Sequence, residues 1–520
     1  MDTMSLLELP SELIIKVLDN LDFRDLVHIQ EVCKLFNSIV NDSQTFRYKV
    51  QLAIRGMEDG GHCTLSPTER LEILNRQEQA WDNARWSSEF ELHMEDGGVW
   101  EIYGGVLAQG TSPHSLTFTQ LPSEIRNIPK KTWTVEKLPF NMRDFTMDPS
   151  QDLLVIVERQ LSATIPYHIH LRSLSTGATH PATVDPAYVS HRPEGASHSF
   201  AIQSCGDYVG VLFTSLDDSR NELVIWNWKT GDRKLAATGS ALSSFIFLTE
   251  THILMAVLGG VNTQLEPRLL VINFLTASKE MQDLQDIEFE TALQFPLMCA
   301  WVAPLVLTIR SDPAPGWKPH PSHNVPFHRA RQDRLLVLTL WVAEEVNWKA
   351  FVVFLPSSTV ISKLETSLRS GQREFEWEEW GPDGTRFVQA PFAHSSVWVC
   401  FVHGMAFVHS VRVRPGGGSP YDIRVLDFNP LAFRKQRFDE MERSTEDDHL
   451  TQIHSNPETV DLRGDVFKSP VITTLPYRVR TVRAPPVKGQ ARFTAVMLSE
   501  DSIVLVCNKE QARNYHILTF

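Results

Sequence analysis

Three stretches of this chain repeat one pattern. DFTMDPSQDLLVIVE, SFAIQSCGDYVGVLF and SFIFLTETHILMAVL each place a phenylalanine near their start, at Phe145, Phe200 and Phe245. Seven positions later comes a polar residue, Asp152, Asp207 or His252, and then an apolar run. Such runs read as two antiparallel strands joined by a polar turn. A third strand follows each pair, in HIHLRSLSTG, ELVIWNWKTG and LLVINFLTAS. The pairs Thr176-Gly177 and Thr230-Gly231 suit hairpin turns that need a positive φ angle. Phe387 with His394 and residues 397–401 repeats the pattern later. Phe493 with Glu500 and residues 503–506 repeats it near the end, with one extra residue in the turn. The first three phenylalanines are 55 and 45 residues apart. A period near that length, with three or four strands per unit, predicts a β-propeller. About 420 residues at this period make about six to eight divergent blades, and seven with long insertions is the expectation. A β-sandwich with coincidental spacing is the competing fold.

The first fifty residues follow a helical period instead. Leu9, Leu13, Ile14, Val17, Leu18 and Leu21 recur on one helix face. Pro10 can open that helix, where its missing N–H leaves no donor unpaired. Asp22 and Asp25 mark the start of a second helix, and Leu26, Ile29, Cys33, Phe36, Ile39 and Val40 continue the apolar pattern. Three short helices are too little for a self-sufficient core, so their apolar side needs a cover.

Leu9-Pro10-x-Glu12-Leu13, then Leu18 and Leu21, Asp25-Leu26, Val32-Cys33-Lys34 and Phe36 resemble an F-box over residues 5–50. The family often has Trp where Phe36 stands, and Leu-Trp near Thr45-Phe46; both replacements here keep an apolar, mostly aromatic character. The resemblance implies docking on the Skp adaptor of a cullin–RING ubiquitin ligase through Leu9, Pro10, Leu13, Ile14, Val17, Leu18, Leu26, Val32 and Phe36. Some of these residues must form the module's own core, and the sequence does not separate the two sets. The plain alternative is a helical hairpin packed on its own domain. DFTMDPSQDLLV and IWNWKTG also resemble the propeller-like half of a group of fungal F-box proteins. Ile225-Trp226-Asn227 before Lys229-Thr230-Gly231 is faintly similar to the last strand of a WD repeat, although the Gly-His element does not recur.

Between the two regions, Ser66-Pro67-Thr68-Glu69 reads as a capping box. It opens a helix from Arg70 to about Arg85 with Leu71, Leu74 and Trp81 facing inward. The expected organisation is therefore multidomain, α plus all-β: the helical module at 5–50, a helical linker at 51–95, and a large β-propeller at 96–520 that receives a target. Strands at 99–107 and 515–520 are expected in the same or adjacent blades, which removes an exposed edge.

A formal net charge of −14 disfavours nucleic-acid binding through a general basic surface. MDTMSLLELPSEL lacks a positive leader. The longest strongly apolar stretch, 298–309, holds a proline and is too short to span a membrane. Six scattered cysteines form no C-x-x-C pair and suit reduced thiols in the cytoplasm or nucleus.

No phosphate loop, dinucleotide fingerprint, nucleophile elbow or H-E-x-x-H is present. Asp217-Asp218 and Glu378-Glu379 read as solvated loop charge. His320, His323 and His328 lack a supporting ligand pattern, so neither a metal nor a cofactor is expected. Trp317, Arg329, Arg331 and Arg334 lie in the proline-rich stretch 313–334, with Arg310 just ahead. This basic cluster is the candidate receptor for an acidic or phosphorylated target peptide, against the plainer reading of a solvated insertion. Residues 415–420 read as a flexible turn, and 434–448 as an exposed charged helix or disordered chain. The function these features suggest is target recognition within an SCF-type ubiquitin ligase, without chemistry by the chain itself. The rivals are a Skp-binding scaffold outside a ligase and a propeller hydrolase.

Overall fold

The computed structural model describes residues 9–95, 98–160, 162, 164–217, 220–258, 267–331, 333–344, 347–390, 400–412, 421–442, 451–485, 492–509 and 512–520. Asp22 caps the second of four N-terminal helices, its side chain accepting from Asp25 N at 2.9 Å. These helices are α1 (Ser11–Leu18), α2 (Phe23–Val32), α3 (Lys34–Asp42) and α4 (Gln44–Ile54), one more than the pattern predicts. Helix α5 (Pro67–Asp82) carries the expected capping box: Ser66 N donates to Glu69 Oε2 at 2.8 Å and Glu69 N to Ser66 Oγ at 3.4 Å. Leu71, Leu74 and Trp81 are buried, as their spacing predicts.

The rest of the chain forms the seven blades of a propeller, each built on four antiparallel strands. Blade 1 is Trp100–Tyr103, Val106–Ser112, Ser115–Gln120 and Lys131–Val135. Blade 2 is Met142–Asp148, Leu153–Glu158, Tyr167–Ser173 and Tyr188–His191. Blade 3 is His198–Cys205, Tyr208–Ser215, Asn221–Asn227 and Arg233–Gly239. Blade 4 is Leu242–Phe247, His252–Val257, Arg268–Asn273 and Thr291–Gln294. Blade 5 is Val302–Arg310, Leu335–Glu344, Asn347–Pro356 and Arg386–Gln389, with α6 (Ser357–Ser370) and α7 (Trp377–Gly384) inserted before its last strand. Blade 6 is Val402–His403, Ala406–Arg412, Tyr421–Asp427 and Tyr477–Arg483, with Thr451–His454 as a fifth strand and α8 (Pro430–Glu442) in between. Blade 7 is Arg492–Leu498, Ser502–Lys509, Ala512–Thr519 and, from the other end of the chain, Ser88–Glu95.

Phe145, Phe200, Phe245 and Phe493 open blades 2, 3, 4 and 7 as the repeat predicts. Asp152 turns the chain at φ 56° and accepts from Ser175 N at 2.7 Å. Gly177 and Gly231 take φ 72° and 76°. Gly210 serves packing: a Cβ there would come within 2.7 Å of the Phe245 ring in the next blade.

Two expectations need correction. Phe387 lies in the last strand of blade 5, not the first of blade 6, because the helices at 357–384 displace the repeat by a strand. His394 and most of 397–401 lie outside the described residues, as do 415–420 and the end of 434–448; Arg434–Glu442 continues α8. The segment read as a helical linker ends in a strand, since Phe90, Leu92 and Met94 alternate with Glu89, Glu91 and His93 at period two. That strand pairs along its whole length with the C-terminal one, from Ser88 opposite Thr519 to Glu95 opposite Ala512. Trp100–Tyr103 lies in the neighbouring blade. Among the described residues, no helix is long and apolar enough to cross a membrane.

Phe520 is fully buried and stacks on Trp81 of α5 at 4.0 Å, with its N–H donating to Asp501 O at 2.8 Å. Truncating a buried aromatic removes its contacts and leaves a cavity. Phe520→Ala is expected to lower unfolding stability by about 3 kcal/mol in denaturant titration.

Candidate docking face and central channel

In the N-terminal module the structure separates two sets of apolar residues. Ile14, Leu18, Leu26 and Phe36 are buried with Val40 and Phe46 in one core cluster. Leu13, Val17 and Val32 are instead 47%, 45% and 69% exposed, and Pro10 is exposed beside a partly buried Leu9. Leu13 and Val17 are four residues apart on α1 and share a face. Ile15, Val27 and Leu35 are exposed as well, Ile15 on a different side of its helix from Leu13 and Val17. Water contact by so many branched side chains is unfavourable at about 25 cal/mol per Å² of apolar surface, which a partner surface would relieve.

This module is fixed to the propeller through a segment that crosses the ring. Residues 311–334 join the first two strands of blade 5, where the other blades have short turns. Gly404 N donates to Asp312 O at 2.7 Å in blade 6, and Ala314 N to Tyr103 Oη at 3.1 Å in blade 1. Trp317 Nε1 donates to Asp148 Oδ1 at 3.1 Å in blade 2, with its ring edge-on to Tyr103. Cys205 Sγ of blade 3 donates to Pro315 O at 3.5 Å, and Arg329 N donates to Glu500 Oε1 of blade 7 at 2.9 Å. Arg334 donates to Phe247 O at 3.0 Å and Leu248 O at 2.7 Å in blade 4, and to Pro313 O at 3.2 Å. The segment therefore touches every blade and plugs one mouth of the ring.

Phe327 of the plug is fully buried in a cluster with Tyr48 and Leu52 of α4, Met57, and Leu71 and Leu74 of α5. Tyr48 Oη donates to Pro326 O at 2.8 Å, and the strand Met57–Asp59 pairs with Phe327–Arg329. Gln77 of α5 donates to Asp501 at 2.7 Å, and Asp501 with Glu500 also pairs with the buried Arg126. None of Arg126, Gln77 and Asp501 stands out in the sequence, because each sits among other polar residues and reads as surface.

The candidate target-binding cluster takes a different form from a solvated basic loop. Arg334 is buried, and burial lowers its guanidinium to about 10. The Arg310 guanidinium is likewise lowered to about 10 by burial. Arg331 pairs with Glu58 at 2.7 Å, and Trp317 and Arg329 are built into the plug. Main-chain carbonyls receive the Arg334 donors and carboxylates those of Arg331 and Trp317, and carbonyls leave no trace in a sequence. The acidic pairs are structural too: Asp217 accepts from Ala196 N at 2.6 Å, and Glu379 caps α7 by accepting from Glu376 N at 2.8 Å. Asp218 lies outside the described residues.

On the far side of the plug from the helical module lies a channel cavity of about 450 Å³. Trp100, Glu101, Asp144, Arg310, Asp312 and Cys400 are among its lining residues. Burial pushes the Glu101 carboxyl up to about 8; the Thr146 hydroxyl, donating at 3.0 Å, opposes this, Asp144 and Asp312 add to it, and Arg310 counters it. Burial also raises Asp144 to about 6 and the Cys400 thiol to about 12. A thiol so raised is a poor nucleophile at neutral pH. The cavity instead offers carboxyl groups and two guanidinium groups, Arg310 and Arg513, a setting that favours recognition of polar or charged side chains.

The Glu101 shift has a sign. Its folded form holds a proton that the unfolded chain releases, so its stability contribution is full below about pH 4.5 and is lost as pH rises through about 8. Glu101→Gln is expected to melt higher than the parent at pH 8.5, with the gap closing towards pH 4.5, in thermal scans across that range.

A family model described as F-box domain matches residues 6–48. No curated protein matches the chain. Among solved structures, Hsv2 of Kluyveromyces lactis with a complete loop 6CD aligns at 9% identity, TM-score 0.25, over 38% of this chain and 63% of that one. An uncharacterized protein of Listeria monocytogenes EGD-e aligns at 8% identity, TM-score 0.27, over 58% of this chain and 82% of the other. The family match falls on the four-helix module, and the strand pairings define seven blades beyond it: this chain carries an F-box domain joined to a seven-bladed β-propeller.

Proposed function

We propose that this chain is the target-recognition subunit of an SCF-type cullin–RING ubiquitin ligase, acting without chemistry of its own. The observation that carries the reading is the exposed apolar face of Pro10, Leu13, Val17 and Val32, distinct from the module's own core. An F-box supplies the expected occupant, a Skp adaptor and through it the cullin. The propeller then holds a protein target at the open mouth of the channel, and the assembly raises the effective concentration of target lysines near the ubiquitin carrier. Of the residues offered for docking, Leu9, Pro10, Leu13, Val17 and Val32 are assigned to the adaptor, and Ile14, Leu18, Leu26 and Phe36 to the module's core. We place this activity in the cytoplasm, the nucleus or both.

The expected outcome of Leu13→Asp with Val17→Asp is loss of Skp adaptor and cullin from affinity-purified tagged chain, with the melting temperature unchanged. A buried anchor typically contributes about 2 kcal/mol, so the single Leu13→Ala change should weaken adaptor binding about thirtyfold. Capture of adaptor without cullin would favour a scaffold outside the ligase. The inward carboxyl groups Glu101, Asp144 and Asp312 favour one second reading, hydrolysis in the channel. Turnover abolished by Glu101→Gln with adaptor capture intact would establish that reading.

A further inference from the structure

Blade 2 carries a side-chain cluster that neither the docking face nor the channel uses. His168 and His170 are two residues apart on the strand Tyr167–Ser173 and point to one face, opposite the buried Tyr167, Ile169 and Leu171. Glu158 ends the neighbouring strand and meets both. Its Oε2 lies 3.2 Å from His168 Nδ1 and 3.0 Å from His170 Nε2, and all three atoms lie within 4.8 Å of one another.

We propose that Glu158, His168 and His170 form a zinc site on blade 2. Tetrahedral zinc with bonds of about 2.0–2.1 Å holds its ligand atoms about 3.3 Å apart, so the two distances from Glu158 need only a few tenths of an ångström of opening. Two imidazoles and a carboxylate are a donor set zinc accepts, with a fourth position for water or a group from a bound protein. The His170 ring is held in place: it stacks on Phe140 at 3.7 Å and 7°. Tyr188 flanks His168 at 4.7 Å and His170 at 5.8 Å. Arg172 is a neighbouring opposing charge, and its guanidinium sits over the other aromatic neighbour, 5.4 Å from the Phe140 ring. Glu158 follows directly from the second strand into the connection at the ring's open end, so the metal would sit on the same end as the channel mouth.

The test uses the full chain stripped with a chelator and titrated with zinc chloride by calorimetry, beside His170→Ala and the near-isosteric Glu158→Gln. The parent is expected to bind one more zinc ion than His170→Ala, and Glu158→Gln to bind that ion at least about tenfold more weakly. Zinc should raise the melting temperature of the parent and not of His170→Ala, whose metal-free melt shows whether it folds. Cobalt in place of zinc should give a tetrahedral d–d spectrum without a thiolate charge-transfer band, which separates this site from the cysteines. Equal zinc stoichiometry in parent and folded His170→Ala, or a cobalt spectrum with thiolate character that both variants retain, would overturn the proposal.

Discussion

A ring of sheets has no free edge only when its last sheet is completed by chain from the other end. Here Ser88–Glu95 supplies the fourth strand of blade 7 against Ala512–Thr519, in unbroken register over eight residues. The inner core depends on this pairing, since Tyr515, Ile517 and Leu518 are fully buried between blades. Phe520 then meets Trp81 of α5, so ring closure and linker placement share one interface. No separate tether is needed: the helix that leads away from the F-box runs directly into the strand that closes the propeller.

The plug makes the same connection from the opposite direction. Phe327 is buried among side chains of α4, α5 and Met57, while the backbone around it reaches the turns of the ring. Burial of one such ring contributes about 2–3 kcal/mol, and pairing of Met57–Asp59 with Phe327–Arg329 adds direction to it. The helices that pack on the plug and the channel cavity thus lie on opposite sides of it. Under the proposed function, a body built in this way would present a target at a fixed distance and angle, and geometry would decide which target lysines come within reach.

Much of this was legible in the residues. Phe145, Phe200 and Phe245 reveal the repeat because each blade needs a large apolar side chain in its inner strand. Phe387 misleads because helices α6 and α7 shift the phase, and a repeat read from one residue type has no means to detect an inserted helix pair. SEFELHME alternates at period two and was open to recognition as a strand, but its proximity to a well-capped helix favours the helical reading. In the F-box, Leu13 and Ile14 are chemically equivalent letters; only the path of α2 and α3 decides which one is covered. The plug was the least legible element. Arginines and prolines in a long connection read as solvated, while the partners that bury Arg334 are main-chain carbonyls of Phe247 and Leu248.

The closing strand also sets an order of events during synthesis. Glu89 emerges from the ribosome 427 residues before His516, the partner it meets at 2.8 Å. Until then Ser88–Glu95 is an orphan edge with an apolar row at Phe90, Leu92 and Met94, the kind of segment that recruits other chains. Its other row, Glu89, Glu91, His93 and Glu95, is charged or polar. Those residues act as gatekeepers for a nascent chain that must wait through six blades before its own last strand arrives. The helices of the N-terminal module pair within the first fifty-odd residues, yet Tyr48 and Leu52 also wait for Phe327, which emerges only with blade 5.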